Sequence, residues 1–516
     1  MLQRISLSSS PLPPLLNLPD DILITIALLL SIQDILSLKQ TCRVLHAFGT
    51  TDYLWHRLIE DFGLPLDIPQ NVAPNNLSAD EVQEAAIKAM RLELNWRKPV
   101  SSIKASAKVQ GMTQEQCVHM QFLPGGKWLL TVERYHRLLM TRFTTRMSIW
   151  SMADLARPYR VLNVELKGTY RASAFCPLKG GSSAILAVGL HETHGDVVEV
   201  RTISLDQEWD AFVPYPTMSF TAPTPKRLLL PEHPVPGNKV IQAISIMENT
   251  LIVSVAICGS HADVSSHILL ATVDSGPLKW VDPKYTHSIN LLQARIHKGY
   301  LYLFGQNVNT TEVYVYPLPA RFRSKRSAFS SIHNGGNDTN FIDLGDCLAK
   351  YEHTLPRGLR SLSDFLHVPL TFTSSIPVVM FNVADVRTGG SRSRFVGYII
   401  HFPVYARGLP SKLYSPASSR ILCSEDTSQQ FVQLGDTGCR MVWLEHDLES
   451  GRNRILKFET GGMERGRSQI LHGLLLPPQP DLPFVLSACN ALAFDEITGR
   501  LCLAFYDGSL HALDFA

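Results

Sequence analysis

Closely spaced cysteines, an excess of one charge and long apolar runs are what this chain lacks. Its nine cysteines (42, 117, 176, 258, 347, 423, 439, 489, 502) are odd in number, and the nearest two, Cys489 and Cys502, are thirteen residues apart. That spacing excludes a CxxC zinc or redox motif and offers no disulfide framework, which fits a reducing cytoplasmic or nuclear compartment. Lys+Arg total 48 against 46 Asp+Glu, a net charge of +2, so no overall field draws nucleic acid or an anionic membrane as partner. The longest uncharged apolar stretch near the N-terminus, residues 22–32, follows Asp20 and Asp21 instead of a basic segment. It is also far shorter than the roughly 20 residues of a spanning helix, so it reads as neither signal peptide nor membrane anchor. Gly 32 and Pro 32 are near average usage and exclude collagen-like and low-complexity classes. Sequons at Asn76, Asn309 and Asn337 then mean only exposed turns.

What is present suffices for a packed interior: 45% of the 516 residues are hydrophobic and 18% charged. The length calls for two to four domains unless one is a large all-β or repeat architecture.

Before about residue 110 the pattern is helical. Pro19 stands where a first helical turn tolerates it, Asp20 and Asp21 suit the positive end of a helix dipole, and the apolar run 22–30 follows. Ser31 with Asp34 opens a second helix carrying Ile35, Leu36 and Leu38. Residues 41–48 read as a third helix, and Asp52 is expected to cap a fourth with Leu54, Trp55 and Leu58. Some forty residues cannot build a core that covers both faces of the first helix, so apolar surface is left for a partner.

Leu18-Pro19, Asp21-Ile22-Leu23, Ile26, Leu30, Asp34-Ile35-Leu36, Leu38, Thr41-Cys42-Arg43, Leu45 and Leu54-Trp55 with Leu58 resemble the F-box motif at its expected spacing, with Asp21 in place of the commoner Glu. The resemblance implies a Skp-type adaptor as partner and, through it, the cullin and RING subunits of SCF ubiquitin ligases. Carried over position by position, it places Leu18, Pro19, Ile22, Leu23, Ile26, Leu30, Ile35, Leu36, Leu54 and Trp55 on the adaptor.

Residues 61–77 read as a loop. Ser78 with Glu81 opens an amphipathic helix running to about Trp96 and ended by Pro99, with Val82, Ala86, Met90 and Leu94 as its packing stripe.

From about Glu115 the hydrophobic period changes to 2. Seven groups of three or four short β-rich runs recur without intervening helices, which argues for a sandwich, barrel or propeller over a parallel α/β fold. Blade-like units at the two ends, closing on Ile149-Trp150 and Leu513-Asp514, favour the propeller, with a pair of sandwiches as the alternative. Seven blades would average about 57 residues, above the ~40–45 of WD repeats, so long insertions are expected. This half resembles the degenerate WD-repeat-like propellers attached to F-boxes, particularly in fungal F-box proteins. The terminal run 509–515 is expected to complete a sheet with the start of the domain near residues 115–122, making the chain end a clasp.

The expected organisation is thus α+β and multidomain: a disordered tail at 1–17, an all-α F-box at 18–60, a linker and bracing helix at 61–110 and an all-β propeller of seven blades at 111–516. Other motifs take bland readings. Gly125-Gly126-Lys127 lacks the upstream glycine of a phosphate loop, and Trp128 stands where Ser or Thr is required; it reads as a hairpin turn. His191-Glu192-Thr193-His194 lacks HExxH spacing and reads as a loop without metal. Arg321, Arg323, Lys325 and Arg326 read as a solvated loop, with nuclear import as the sharper alternative, and the Pro-rich run 223–236 as a rigid loop. No GxSxG, GxGxxG or paired Cys/His constellation is present, so no catalytic residue, cofactor or metal is expected. The expected function is that of a non-enzymatic substrate receptor whose propeller holds a protein substrate. A propeller hydrolase, or an F-box protein acting with the adaptor outside ubiquitination, are the alternatives.

Overall fold

The computed structural model describes residues 18–60, 62–68, 72, 74–109, 116–123, 125–136, 143–178, 183–205, 225–247, 249–259, 264–273, 276–282, 291–306, 310–322, 340–354, 359–360, 366–369, 372, 375–384, 394–406, 416–421, 427–459, 471–477 and 482–516. The expected tail at 1–17, the sequons Asn309 and Asn337, Cys423, and the basic residues Arg323, Lys325 and Arg326 lie outside the described residues. By its internal contacts the chain divides into two compact units, Met1–Leu94 and Asn95–Ala516.

The first unit is helical: α1 (Asp20–Leu28), α2 (Ile32–Lys39), α3 (Arg43–Phe48), α4 (Asp52–Glu60) and α5 (Ala79–Trp96), whose last two residues belong to the second unit. Pro19 is the N-cap of α1, one position ahead of the expected first turn, and Asp20 and Asp21 fill that turn. Ser31 and Asp34 close the expected capping box on α2, each side chain bonded to the other's backbone N–H at 3.2 Å. Ser78 and Glu81 do the same for α5. Asp52 behaves differently from expectation. Its carboxylate accepts from the Ala79 N–H at 2.6 Å, so it caps the start of α5 rather than its own helix. The packing stripe of α5 also ends earlier than expected, for Val82 and Ala86 are buried while Leu94 is 55% exposed.

The second unit is an all-β propeller. Its described strands form seven sheets, in chain order. The first holds Gln116–Phe122, Trp128–His136, Phe143–Ser151 and Tyr159–Lys167; the second, Thr169–Pro177, Ser183–Glu192, Gly195–Ser204 and Lys226–Leu229. The third holds Asn238–Met247, Thr250–Cys258, Val264–Thr272 and Lys279–Asp282, with Phe341–Asp343 added at its edge; the fourth, Leu291–His297, Tyr300–Gln306, Thr310–Pro317 and Ala349–Thr354. The fifth holds Leu359–Arg360, Leu366–His367, Ser375–Ala384, Arg394–Pro403 and Ala417–Ile421; the sixth, Thr427–Leu434, Arg440–Asp447, Asn453–Glu459 and Leu471–Leu474. The seventh joins Cys489–Asp495, Arg500–Phe505 and Leu510–Asp514 to Ala105–Val109. Pairing is antiparallel among these strands except that Phe341–Asp343 runs parallel to Lys279–Asp282.

From the first sheet to the sixth each packs on the next through apolar side chains, the seventh packs back on the first in the same way, and hydrogen bonds join the sixth to the seventh, so the ring closes. Leu130 and Leu186 belong to one core between first and second, Val198 and Val253 to one between second and third, and Leu270 and Leu303 to one between third and fourth. Phe304 and Ile376 join fourth to fifth, Ile399 and Trp443 fifth to sixth, and Met120 and Ala493 seventh to first. The junction of sixth and seventh is polar: the buried Glu496 carboxylate accepts from the backbone N–H groups of Thr437, Cys439 and Arg440. A Cβ on Gly435 would strike that carboxylate, so the turn needs glycine there.

The chain end is a clasp, but its partner is not the expected segment at 115–122. Leu510–Asp514 pairs with Ala105–Val109, Ala512 opposite Ala107, whereas Gln116–Phe122 begins the first sheet. Ala105–Val109 is an outer strand with only Val109 buried; its sequence alternates, but two of its three apolar positions are alanine, so the signal is weak. Leu510, Ala512 and Leu513 are core, as expected.

The expected linker 61–110 therefore contains parts of the second unit. The Asn95 amide donates to the carbonyls of Ser102 and Phe515, each at 2.7 Å. Trp96 stacks on Phe494 at 5.4 Å between ring centroids, and the Arg440 guanidinium lies 5.5 Å over its ring. Val100 bridges Leu474 of the sixth sheet, just ahead of the strand that completes the seventh.

Candidate adaptor-binding site

The first unit divides its apolar residues by helix face. Along α1, Leu23 and Ala27 point inward, while Ile22 (47% exposed), Ile26 (37%) and the C-cap residue Leu29 (84%), at i, i+4 and i+7, share the outer face. Val44 on α3 and Tyr53 on α4, 47% and 60% exposed, are further outward apolar side chains.

The ten residues singled out in the sequence separate accordingly. Leu23, Ile35, Leu54 and Trp55 are core. Trp55 is fully enclosed, its indole N–H donating to the Gly49 carbonyl at 2.8 Å and its ring under the Lys39 ammonium at 5.9 Å. In this conformation these four hold the unit together and present nothing outward. Leu18, Leu30 and Leu36 are half-buried and pack against the same core. Pro19, Ile22 and Ile26 are the three that face out. Leu29, Val44 and Tyr53 were not among the ten; the 22, 26, 29 spacing was the signal that would have found Leu29 in place of Leu30.

Lys39 is drawn into this interior. Its ammonium donates to Gln83 of α5, and burial lowers its pKa although Asp80 opposes the shift. The Lys39 stem fills the space beside Gly49 that a Cβ there would need.

Residues 15–61 match the F-box-like family model. That segment is an F-box-like domain. The match spans the helices that carry both the buried four and the exposed stripe, and the β-propeller follows it in the chain. No curated protein matches the chain. Among solved structures, that of Chaetomium thermophilum Sqt1 is similar at a TM-score of 0.41 and 12% identity, covering 80% of this chain and 98% of that one.

The remaining motifs resolve into structure. Gly125 and Gly126, with φ of +88° and +62°, form the turn between the first two strands of the first sheet. His191 Nδ1 lies 2.6 Å from the buried Asp196, whose other oxygen accepts from the Ile241 N–H at 2.7 Å, so that pair ties the second sheet to the third. Glu192 pairs with Arg227. Among the described residues no group of three or more His, Cys, Asp or Glu is placed to hold a metal ion.

Proposed function

We propose that this chain is the substrate-recognition subunit of an SCF-type cullin-RING ubiquitin ligase. The F-box-like domain holds a Skp-type adaptor, and through it cullin and RING subunits, while the propeller holds a protein substrate. The observation that carries this reading is the outward apolar stripe Ile22, Ile26 and Leu29 on a domain that matches the F-box-like model. An exposed apolar face of that kind marks a partner site, and aliphatic or aromatic anchors at the centre of such sites each carry about 2 kcal/mol or more of affinity.

The chain supplies no chemistry of its own in this account. It supplies two binding faces on one polypeptide, which raises the effective concentration of the substrate's lysines at a conjugating enzyme charged elsewhere in the complex. The seven sheets are read as seven blades, whose loops present the substrate surface. The compartment is cytoplasmic, nuclear or both.

The test is reconstitution. Ubiquitin transfer to a captured protein is expected only with adaptor, cullin and RING present, with no reducible ubiquitin conjugate on any of the nine cysteines. A thioester on the isolated chain would replace the receptor reading with a catalytic one.

A further inference from the structure

The Pro-rich run carries a feature that substrate presentation does not use. Residues 231–236 (PEHPVP) leave the second sheet and lie on the third. The Trp280 indole N–H donates to the Glu232 carbonyl at 3.0 Å, and the Lys239 ammonium donates to the Pro231 carbonyl at 2.8 Å. Between these anchors the His233 ring sits in an aromatic recess. Its centroid is 4.3 Å from that of His267, 4.7 Å from Trp280 in an edge-on arrangement, and 5.9 Å from Phe341. Gly237 ends the strap at φ +155°, where a Cβ would meet the Cys258 carbonyl at 2.6 Å, so the turn out of the recess is fixed.

The protonation state of His233 is set by a donor that cannot change roles. The Val235 backbone N–H donates to His233 Nδ1 at 3.1 Å, which requires a lone pair on that nitrogen. An imidazolium has none. His267, whose Nε2 lies 2.9 Å from the Ser265 hydroxyl, would as a cation face a second cation ring to ring. Lys239 from the first strand of the third sheet acts on His233, and His233 acts in turn on His267 from the third strand, which faces it ring to ring. Trp280 and Phe341 present only aromatic surface.

We propose that residues 231–236 are an acid-released latch, docked on the third sheet while His233 is neutral and freed when it takes a proton. Release uncovers Trp280 and the edge where Phe341–Asp343 lies.

The direction of the effect follows from linkage. Burial, then the Lys239 charge, lowers the His233 pKa, and burial, then His233, lowers that of His267 to about 4. The free strap binds protons at the ordinary histidine value near 6.5. Docking is therefore at full strength above about pH 6.5 and is lost as pH falls toward the docked-state values. At pH 5 a free histidine is mostly protonated, so the opening equilibrium of the strap rises as acid is added.

The test is hydrogen–deuterium exchange by mass spectrometry on the full chain at pH 7.5 and 5.0, corrected for intrinsic rates. The peptide covering 228–240 is expected to lose protection severalfold at pH 5.0, with peptides covering 116–122 and 489–495 unchanged. His233→Asn keeps an acceptor oxygen near the place of Nδ1 but does not titrate, and is expected to hold the strap at both pH values. His267→Gln removes the second ring and moves the opening midpoint to higher pH. Unchanged protection in the wild type, the same loss in His233→Asn, an unmoved midpoint in His267→Gln, or loss across all peptides together would each overturn the latch.

Discussion

The two units treat their large apolar residues in opposite ways. In the propeller, Trp150, Trp280, Trp443, Phe402, Phe458 and Phe515 are almost completely enclosed, because every sheet has a neighbour on each face. In the F-box-like domain Trp55 is just as enclosed, yet Ile22, Ile26 and Leu29 remain outside on the same short helix that contributes Leu23 and Ala27 to the core. The difference is one of volume. A ring of seven sheets offers an interior for every apolar face, whereas four short helices have one small core and a second face left over. Enclosed residues in both units are the source of stability, and the leftover face is the one proposed to bind.

That comparison can be broken first at the clasp. Truncation after Gly508 removes Leu510, Ala512, Leu513 and Phe515, all buried, each large one worth roughly 1.5–3 kcal/mol against a typical total of about 5–15 kcal/mol. The expected result is an aggregating β unit on size-exclusion chromatography. A monomer with an unchanged melting curve would contradict ring closure.

Next in size is Trp55→Ala. It leaves a cavity in the helical core and strips the Gly49 carbonyl of its donor, at an expected cost of about 3–5 kcal/mol to the F-box-like domain. Differential scanning calorimetry should show the loss without change in the propeller transition. Because this side chain faces inward, loss of a partner in this variant would report unfolding rather than a missing contact.

A smaller effect separates the polar junction of the propeller from its apolar ones. Burial, then Asp495 and Glu496, push the Asp436 carboxyl up to about 8, with Arg295 opposing. A carboxyl whose folded pKa is raised contributes stability that is complete below its unfolded value near 4 and is lost as pH rises through about 8. The wild-type melting temperature is expected to fall by a few degrees between pH 5 and 9, and Asp436→Asn to flatten that slope. A slope that survives in Asp436→Asn would remove the assignment.

The smallest effect belongs to the Arg57–Glu60 pair, 2.6 Å apart but half exposed on both sides. Arg57→Ala is expected to change stability by no more than about 0.5 kcal/mol. A larger loss would show that the surface of the domain also carries stability.

Legibility in the sequence followed the range of each interaction. The Ser31/Asp34 and Ser78/Glu81 boxes span three residues and were readable, as was the change of hydrophobic period from helix to strand. The role of Asp52 was not, because the N–H that donates to it lies 27 residues away at Ala79. The clasp was legible on the side of Leu510 and Leu513, which are apolar and buried, and illegible at Ala105–Val109, where solvent covers one face. At the proposed adaptor site the motif's spacing takes in inward and outward residues alike, and only the three-dimensional face separates Trp55 from Ile22.

The central claim is that the outward stripe, and not the buried motif residues, is the adaptor contact. Its most direct test is Ile22→Glu with Leu29→Glu in the full chain, measured as Skp-type adaptor affinity by calorimetry alongside the melting temperature. The account predicts at least a hundredfold loss of affinity, about 2.8 kcal/mol, with melting unchanged. Wild-type affinity in a double variant that melts normally would contradict it.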